Sequence, residues 1–285
     1  MIGEKSMSGP QQWPKCDPKI KQYIQGFSEL LQRELGPELV GIYLHGSLSM
    51  GSFYAPNSDL DLIGVGKAPL IAQNADRLLL KIAELSIGRP FPGDIEFSLI
   101  TADTAQNPQK SITYELHYSD FWREAILSGR VHYQKEQYDN DLFSHLTYVV
   151  QRGICLYGDP ISTVFSPISR ALFMDSVFAD LADILEEDQL FQKPVYGLLN
   201  ICRCLQLMTV PAEKNVYSKD EGAAWGLAHL PVYFHPLIRD ALERYHGESV
   251  IDNVSNSCFS NAYAGELQAI RDYTRAALSA ENQRI

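Results

Sequence analysis

The stretch HGSLSMGSFYAPNSDLDLIGV, residues 45–65, sets two aspartates one residue apart inside an apolar run, downstream of a Gly-Ser pair. A carboxylate away from water and without a partner is expensive, so Asp59 and Asp61 need a reason to sit in a strand. Alternate side chains of a strand share a face, which points Asp59 and Asp61 one way and Leu60 and Leu62 toward a packed core. Two carboxylates side by side repel. A divalent cation removes that repulsion, and magnesium prefers one or two carboxylates together with phosphate oxygens and water. Gly46 and Ser47 offer backbone N–H groups near an expected helix start, a favourable seat for phosphate oxygens. Glu96, in DIEF on a neighbouring expected strand, adds a third carboxylate. A DxD alone equally reads as a solvated strand end. The ordered set of apolar strand, Gly-Ser, Ser-Asp-x-Asp, second strand and then a Glu on a third is far more specific.

Working outward, residues 18–35 place Ile20, Tyr23, Ile24, Phe27, Leu30 and Leu31 at helical spacing, ended by Gly36-Pro37. Strands are expected over 39–46, 59–66 and 94–101, with a helix over 74–88 between the last two. Helices are expected over 117–129 and 139–152, and GICLYGDP (153–160) reads as a short strand and turn. From about residue 167 strand signals vanish, and segments over 168–188, 194–210, 220–231, 235–247 and 260–282 all carry helical patterning. The expected fold class is α+β in two domains: residues 1–165, a mixed sheet with helices packed on it, and residues 166–285, an all-α bundle.

The bulk properties narrow the function. A net charge of -11 disfavours general nucleic-acid binding, which needs basic faces, and suits cationic ligands. The five cysteines form no CxxC, so neither a disulfide framework nor a zinc site is expected, and Cys202-Arg203-Cys204 reads as helix core. No signal peptide and no membrane-spanning run is seen, which places the chain in the cytoplasm. None of the histidines has metal-ligand spacing; His45 reads as a strand residue packed behind the Gly-Ser loop.

The 45–65 stretch resembles the signature of the DNA polymerase β-like nucleotidyltransferases. YELHYSDFW (114–122), LNICRCL (199–205), SKDEGAAWGLAHLP (218–231) and PLIRDALERYHG (236–247) resemble, in the same order, the aminoglycoside (3″)(9) adenylyltransferases. The resemblance implies an N-terminal nucleotidyltransferase domain and an ATP- and Mg²⁺-dependent transfer of AMP to an antibiotic hydroxyl. It implies that Asp59 and Asp61 bind magnesium, and that Glu96 is the general base and touches the drug. It places Gly46, Ser47 and Ser58 near the triphosphate, sends Arg203, Lys219 and Tyr245 to the nucleotide, and has Trp122 line the drug site. In the acidic stretch 180–189, Asp188 is the drug-facing choice, with Asp183 and Glu187 as rivals. Bland readings stand beside these: Lys219 follows an N-capping serine, Tyr245 and Trp122 fit a core, and only Arg203, on an apolar helix, demands an anionic partner.

Family members that accept streptomycin carry a Trp and an Asp between the first two helices of the C-terminal domain. Here ILEEDQLFQKPVYGLLN offers only Phe191 and Tyr196 as aromatics, which favours a spectinomycin-type acceptor modified at its 9-hydroxyl. The segment before Pro18 has no counterpart in the family. The resemblance further implies a monomer. The alternatives are a metabolite or protein hydroxyl as acceptor, or a nucleotide-binding protein with a lapsed site; the presence of Asp59, Asp61 and Glu96 argues against the latter.

Overall fold

The computed structural model describes residues 9–108, 112–131, 137–186, 189–210, 216–247 and 256–282. The chain divides into two compact units, Met1–Phe173 and Met174–Ile285. The change of texture near residue 165 precedes that division, which falls inside a helix, Arg170–Leu185.

The first unit is built on helix α1 (Pro18–Leu35), strand β1 (Leu39–His45), helix α2 (Gly46–Met50), strand β2 (Leu60–Gly66), helix α3 (Ala72–Ser86) and strand β3 (Ile95–Thr101). Asp17 opens α1 by accepting the Lys19 N–H at 2.7 Å, with Pro18 preorganised for the first turn. There follow α4 (Ala102–Gln106), β4 (Thr113–Tyr114), β5 (Leu116–Ser119), α5 (Arg123–Leu127), β6 (Gln137–Tyr138), α6 (Leu142–Arg152), β7 (Ile154–Gly158) and α7 (Ile161–Val164).

Five strands form one mixed sheet in the order β5-β3-β2-β1-β7, with β2 and β3 parallel and the other neighbours antiparallel. One face is apolar: Ile42, Leu44, Leu60, Leu62, Ile95 and Phe97 are buried in a cluster with Ile20, Ile24, Phe27 and Leu31 of α1 and Leu78 and Ile82 of α3. Phe27 and Phe97 meet edge-on at 5.3 Å, a geometry aromatic pairs prefer. The residues between them on the strands, Asp61 and Glu96 included, belong to the opposite face.

Two expectations are corrected. The helix expected over 117–129 is mostly something else: Leu116–Ser119 is a strand, Asp120–Trp122 a 3₁₀ turn, and only Arg123–Leu127 is α-helical. Leu116 and Tyr118 alternate into the core while His117 and Ser119 face away, and pairing with β3 outweighs local helical spacing. The helix expected over 260–282 is two, α13 (Asn256–Ala262) and α14 (Ala264–Asn282). Residues 11–16, just before α1, pack onto the fold: Gln11 pairs with Phe53, the Trp13 N–H donates to the Leu48 carbonyl at 3.1 Å, and Cys16 is in the core.

The second unit contains α8 (Arg170–Leu185) from Met174 onward, α9 (Gln189–Gln192), α10 (Pro194–Thr209), α11 (Lys219–His229) and α12 (His235–His246), then α13 and α14. Helix α10 is the spine; Leu198, Leu199, Ile201, Cys202, Cys204 and Leu205 are buried on it. Among the described residues, no helix is long and apolar enough to cross a membrane.

Candidate active site

The signature residues converge at one end of the sheet because of register. Asp61 on β2 stands opposite Glu96 on β3 and opposite His45 on β1, and Glu96 stands opposite Ser119 on β5. Residues paired across strands share a face, so Ser119, Glu96, Asp61 and His45 form one row. Gly46 follows directly, with φ +67°. A Cβ on Gly46 would lie 1.8 Å from the Asp61 Oδ2. Glycine is therefore required twice, for a backbone conformation that side chains disfavour and for the space the carboxylate fills.

Ser47, on α2, has a buried hydroxyl oxygen with no hydrogen-bond partner among the described residues. A buried hydroxyl left this way is costly, which suits a group awaiting a ligand oxygen. Ser58 is differently employed: it is buried, and its hydroxyl accepts the Tyr54 N–H at 3.0 Å, closing the loop that leads into β2. Asp59 is exposed and gives Oδ1 to the Asp94 N–H at 2.8 Å, tying the start of β2 to the start of β3. Burial, with Asp120 and Asp59 nearby, pushes the Asp94 carboxyl up.

The group of ligand atoms that closes within 4.8 Å is, among the described residues, Glu96, Asp141 and His145. Thus Asp61 and Glu96 are brought together by register, Asp59 is engaged at the loop beside them, and α6 adds two residues that sequence reasoning missed. His145 Nε2 lies 3.3 Å from Asp141 Oδ2 and 3.7 Å from Glu96 Oε1. Burial alone would drive the proton off His145, but Glu96, Asp141 and Asp61 hold it on, raising the pKa to about 10. The His45 ring, 5.0 Å from that of His145, is buried and held well below its usual range by burial and by its charged neighbour. His117 on β5 meets the Ser98 hydroxyl at 2.9 Å and is lowered by burial.

Trp122 is half-exposed and meets Phe121 edge-on at 4.9 Å. In the same turn the Asp120 carboxylate is ion-paired with Arg89 at 2.7 Å and accepts from Arg123 at 2.6 Å and from the Tyr118 hydroxyl at 2.8 Å.

In the second unit, Ser218 caps α11 in a reciprocal capping box with Glu221, so Lys219 opens the helix. Its Nζ lies 5.0 Å from the Tyr245 ring centre and 5.2 Å from that of Tyr196. Arg203 donates to Asn200 Oδ1 at 2.5 Å, and its backbone packs against Gly222 of α11, where a Cβ would meet the Arg203 nitrogen at 2.9 Å. A cleft of about 440 Å³ is lined by Asp180, Asp183, Glu186, Lys193 and Tyr196. Asp183 thus lies on a carboxylate-rich concavity. Asp188 and Glu187 lie outside the described residues.

Residues 163–269 match the family model of the aminoglycoside adenylyltransferase C-terminal domain. The chain is similar to aminoglycoside adenylyltransferases. Over most of its length, it is 24% identical over 241 residues to an aminoglycoside (3″)(9) adenylyltransferase of Klebsiella pneumoniae, spanning 81% of this chain and 87% of that one. It is 25% identical over 242 residues to a spectinomycin 9-adenylyltransferase of Enterococcus faecalis, spanning 80% and 88%. A crystal structure of a spectinomycin adenyltransferase from Enterococcus, with ATP and spectinomycin, superposes with a TM-score of 0.71 at 20% identity, covering 89% of this chain and 98% of that one. That likeness shows the fold, an α+β unit and a helical one.

Proposed function

We propose that the chain is an ATP- and Mg²⁺-dependent adenylyltransferase that transfers AMP to a hydroxyl of an aminocyclitol antibiotic, spectinomycin-type in preference to streptomycin. One observation carries this reading: Asp61 and Glu96 stand in register on parallel neighbours, against a Gly46-Ser47 turn whose Ser47 hydroxyl is buried and unsatisfied.

The donor set fits magnesium: Asp61 supplies hard carboxylate oxygens against the Gly46 turn, and Asp59, two residues before it, would supply a second carboxylate. When bound, the ion neutralises triphosphate charge and makes the pyrophosphate a better leaving group. The chain's own residues do the rest. Gly46 and Ser47 hold phosphate oxygens, and Ser58 keeps the loop to Asp59 closed. Glu96 accepts the proton as the acceptor's hydroxyl oxygen bonds to the α-phosphorus and the bond to the pyrophosphate oxygen breaks. Proton acceptance of this kind is worth roughly two to four powers of ten in rate. Arg203 and Lys219 supply positive charge for the nucleotide phosphates, and the Tyr196 and Tyr245 rings that flank Lys219 hold it in place.

A cationic acceptor is supported by the acidic cleft containing Asp180, Asp183 and Glu186, by the net charge of -11, and by the names of the relatives. Exposed Trp122 offers it an apolar surface. Streptomycin is disfavoured because no Trp occurs between Ile184 and Asn200. We place the reaction in the cytoplasm, where ATP is available, by a monomer that does not bind nucleic acid.

The test is mass spectrometry of drug incubated with ATP, Mg²⁺ and the protein, alongside the susceptibility of a sensitive bacterium expressing the chain or its Glu96→Gln variant. The expected result is an AMP adduct and spectinomycin resistance with the wild type, and with the variant no resistance and an adduct that forms roughly two to four powers of ten more slowly. No adduct on any aminocyclitol or aminoglycoside rejects the reading. An adduct only on some other hydroxyl metabolite moves the acceptor class.

A further inference from the structure

Asp141 immediately precedes helix α6, and the i,i+4 spacing sets Asp141 and His145 on one face. That face meets the carboxylate row of the sheet. His145 Nε2 lies between Asp141 at 3.3 Å and Glu96 at 3.7 Å. The His145 side chain is only 16% exposed, against 36% for Glu96, so the histidine is the better-fixed of the two. Behind it, His45 is buried with Nε2 unpartnered among the described residues. To the other side, the His117 ring is engaged by Ser98.

The arrangement answers a need. Asp61 and Glu96 are paired across neighbouring strands, where like charges repel. A long carboxylate side chain beside a second carboxylate has no reason to hold one rotamer. A cation anchored from an adjacent helix supplies the reason, and the second carboxylate, Asp141, fixes the ring that supplies it. Supporting groups that orient a reactive one in this way typically matter ten- to a hundred-fold.

We propose that His145 is a positioning residue for adenylyl transfer: its imidazole, oriented by Asp141, holds the Glu96 carboxylate in the geometry from which it takes the acceptor's proton. This rests on the reading of Glu96 given above. The role of His145 is electrostatic and orientational; the proton on the acceptor goes to Glu96.

The experiment uses the full chain and compares wild type with His145→Ala, His145→Gln, Asp141→Asn, Glu96→Gln and the double variant Glu96→Gln/His145→Ala. The expected result for His145→Ala is a loss in kcat of roughly ten- to a hundred-fold, with KM for both substrates and calorimetric affinity for ATP with Mg²⁺ within about two-fold. Asp141→Asn loses part of that amount. In the Glu96→Gln background, His145→Ala costs nothing more, because residues acting as one unit are not additive. A merely structural role would lower Tm and multiply the losses instead. Should His145→Ala fail to fold, His145→Gln, which keeps a neutral donor, carries the same comparison. Wild-type kcat in His145→Ala overturns the proposal, as do losses that multiply in the double variant. Loss of Mg²⁺ affinity in His145→Ala also overturns it, and makes the histidine a metal ligand. A wild type that transfers no AMP to any acceptor rejects the functional reading itself, and is distinguished from failure of the histidine's role by the wild-type assay alone.

Discussion

At the scale of single residues, Gly46 is where sequence and chemistry are most tightly joined. Its φ of +67° and the Asp61 oxygen 1.8 Å from where a Cβ would sit leave no room for alanine. Strain of this kind costs about 1–3 kcal/mol, and relief by movement of Asp61 displaces a carboxylate from the site. Gly46→Ala is therefore expected to lower unfolding free energy by about 1–3 kcal/mol in a denaturant melt and to reduce turnover by more than stability accounts for. A variant with wild-type turnover would show that the Asp61 position is unimportant. The Gly-Ser and DxD residues were legible in the sequence because their chemistry is local: a tight turn and an alternating strand. His145 was not, since its meaning arises only when α6 is laid against the sheet and brings it to Glu96, and spacing along the chain carries no trace of that. Ser58 and Asp59 were legible as signature members, but their hydrogen bonds to Tyr54 and Asp94, which make them parts of the loop as well, depend on how that loop closes.

At the scale of elements, hydrophobic period decided most of the architecture. Helix α1 and strands β1 to β3 follow their patterns because one face of each is apolar and the core takes it up. Residues 117–129 did not, because an edge strand of four residues is too short for its alternation to compete with the helical spacing that follows it. The capping box at Ser218 is a case where sequence and structure agree in detail, SKDE being an N-terminal signal in itself. Ser218→Ala is expected to cost about 1 kcal/mol, read as a Tm lowered by a few degrees. Lys219 opens that helix, so the same variant is expected to weaken nucleotide affinity, measured by calorimetry. A shift in Tm alone would separate the cap from the lysine.

At the scale of the whole molecule, charge is the property with consequences. The chain carries -11, and the second unit gathers Asp180, Asp183 and Glu186 around one cleft. A surface of this sign draws cations inward over a distance that shrinks with added salt. The KM of a dicationic acceptor is expected to rise roughly ten-fold between about 0.01 M and 0.15 M salt. The KM for ATP, an anion, should not rise in parallel. Equal salt dependence for both would indicate that the field of the protein plays no part in capture. Composition alone made the sign legible; the concentration of that charge in a cleft required helices α8, α9 and α10 to be folded around it.

The leading segment before α1 gives the fold a less visible dependency. Gln11 and Trp13 lace onto Phe53 and Leu48, both just downstream of the turn that carries Gly46 and Ser47. Shortening the polypeptide to begin at Pro18 would leave every proposed ligand in place, yet strip the strut from behind the turn. Lost catalysis in such a truncated form would report a slackened hinge rather than a missing functional group.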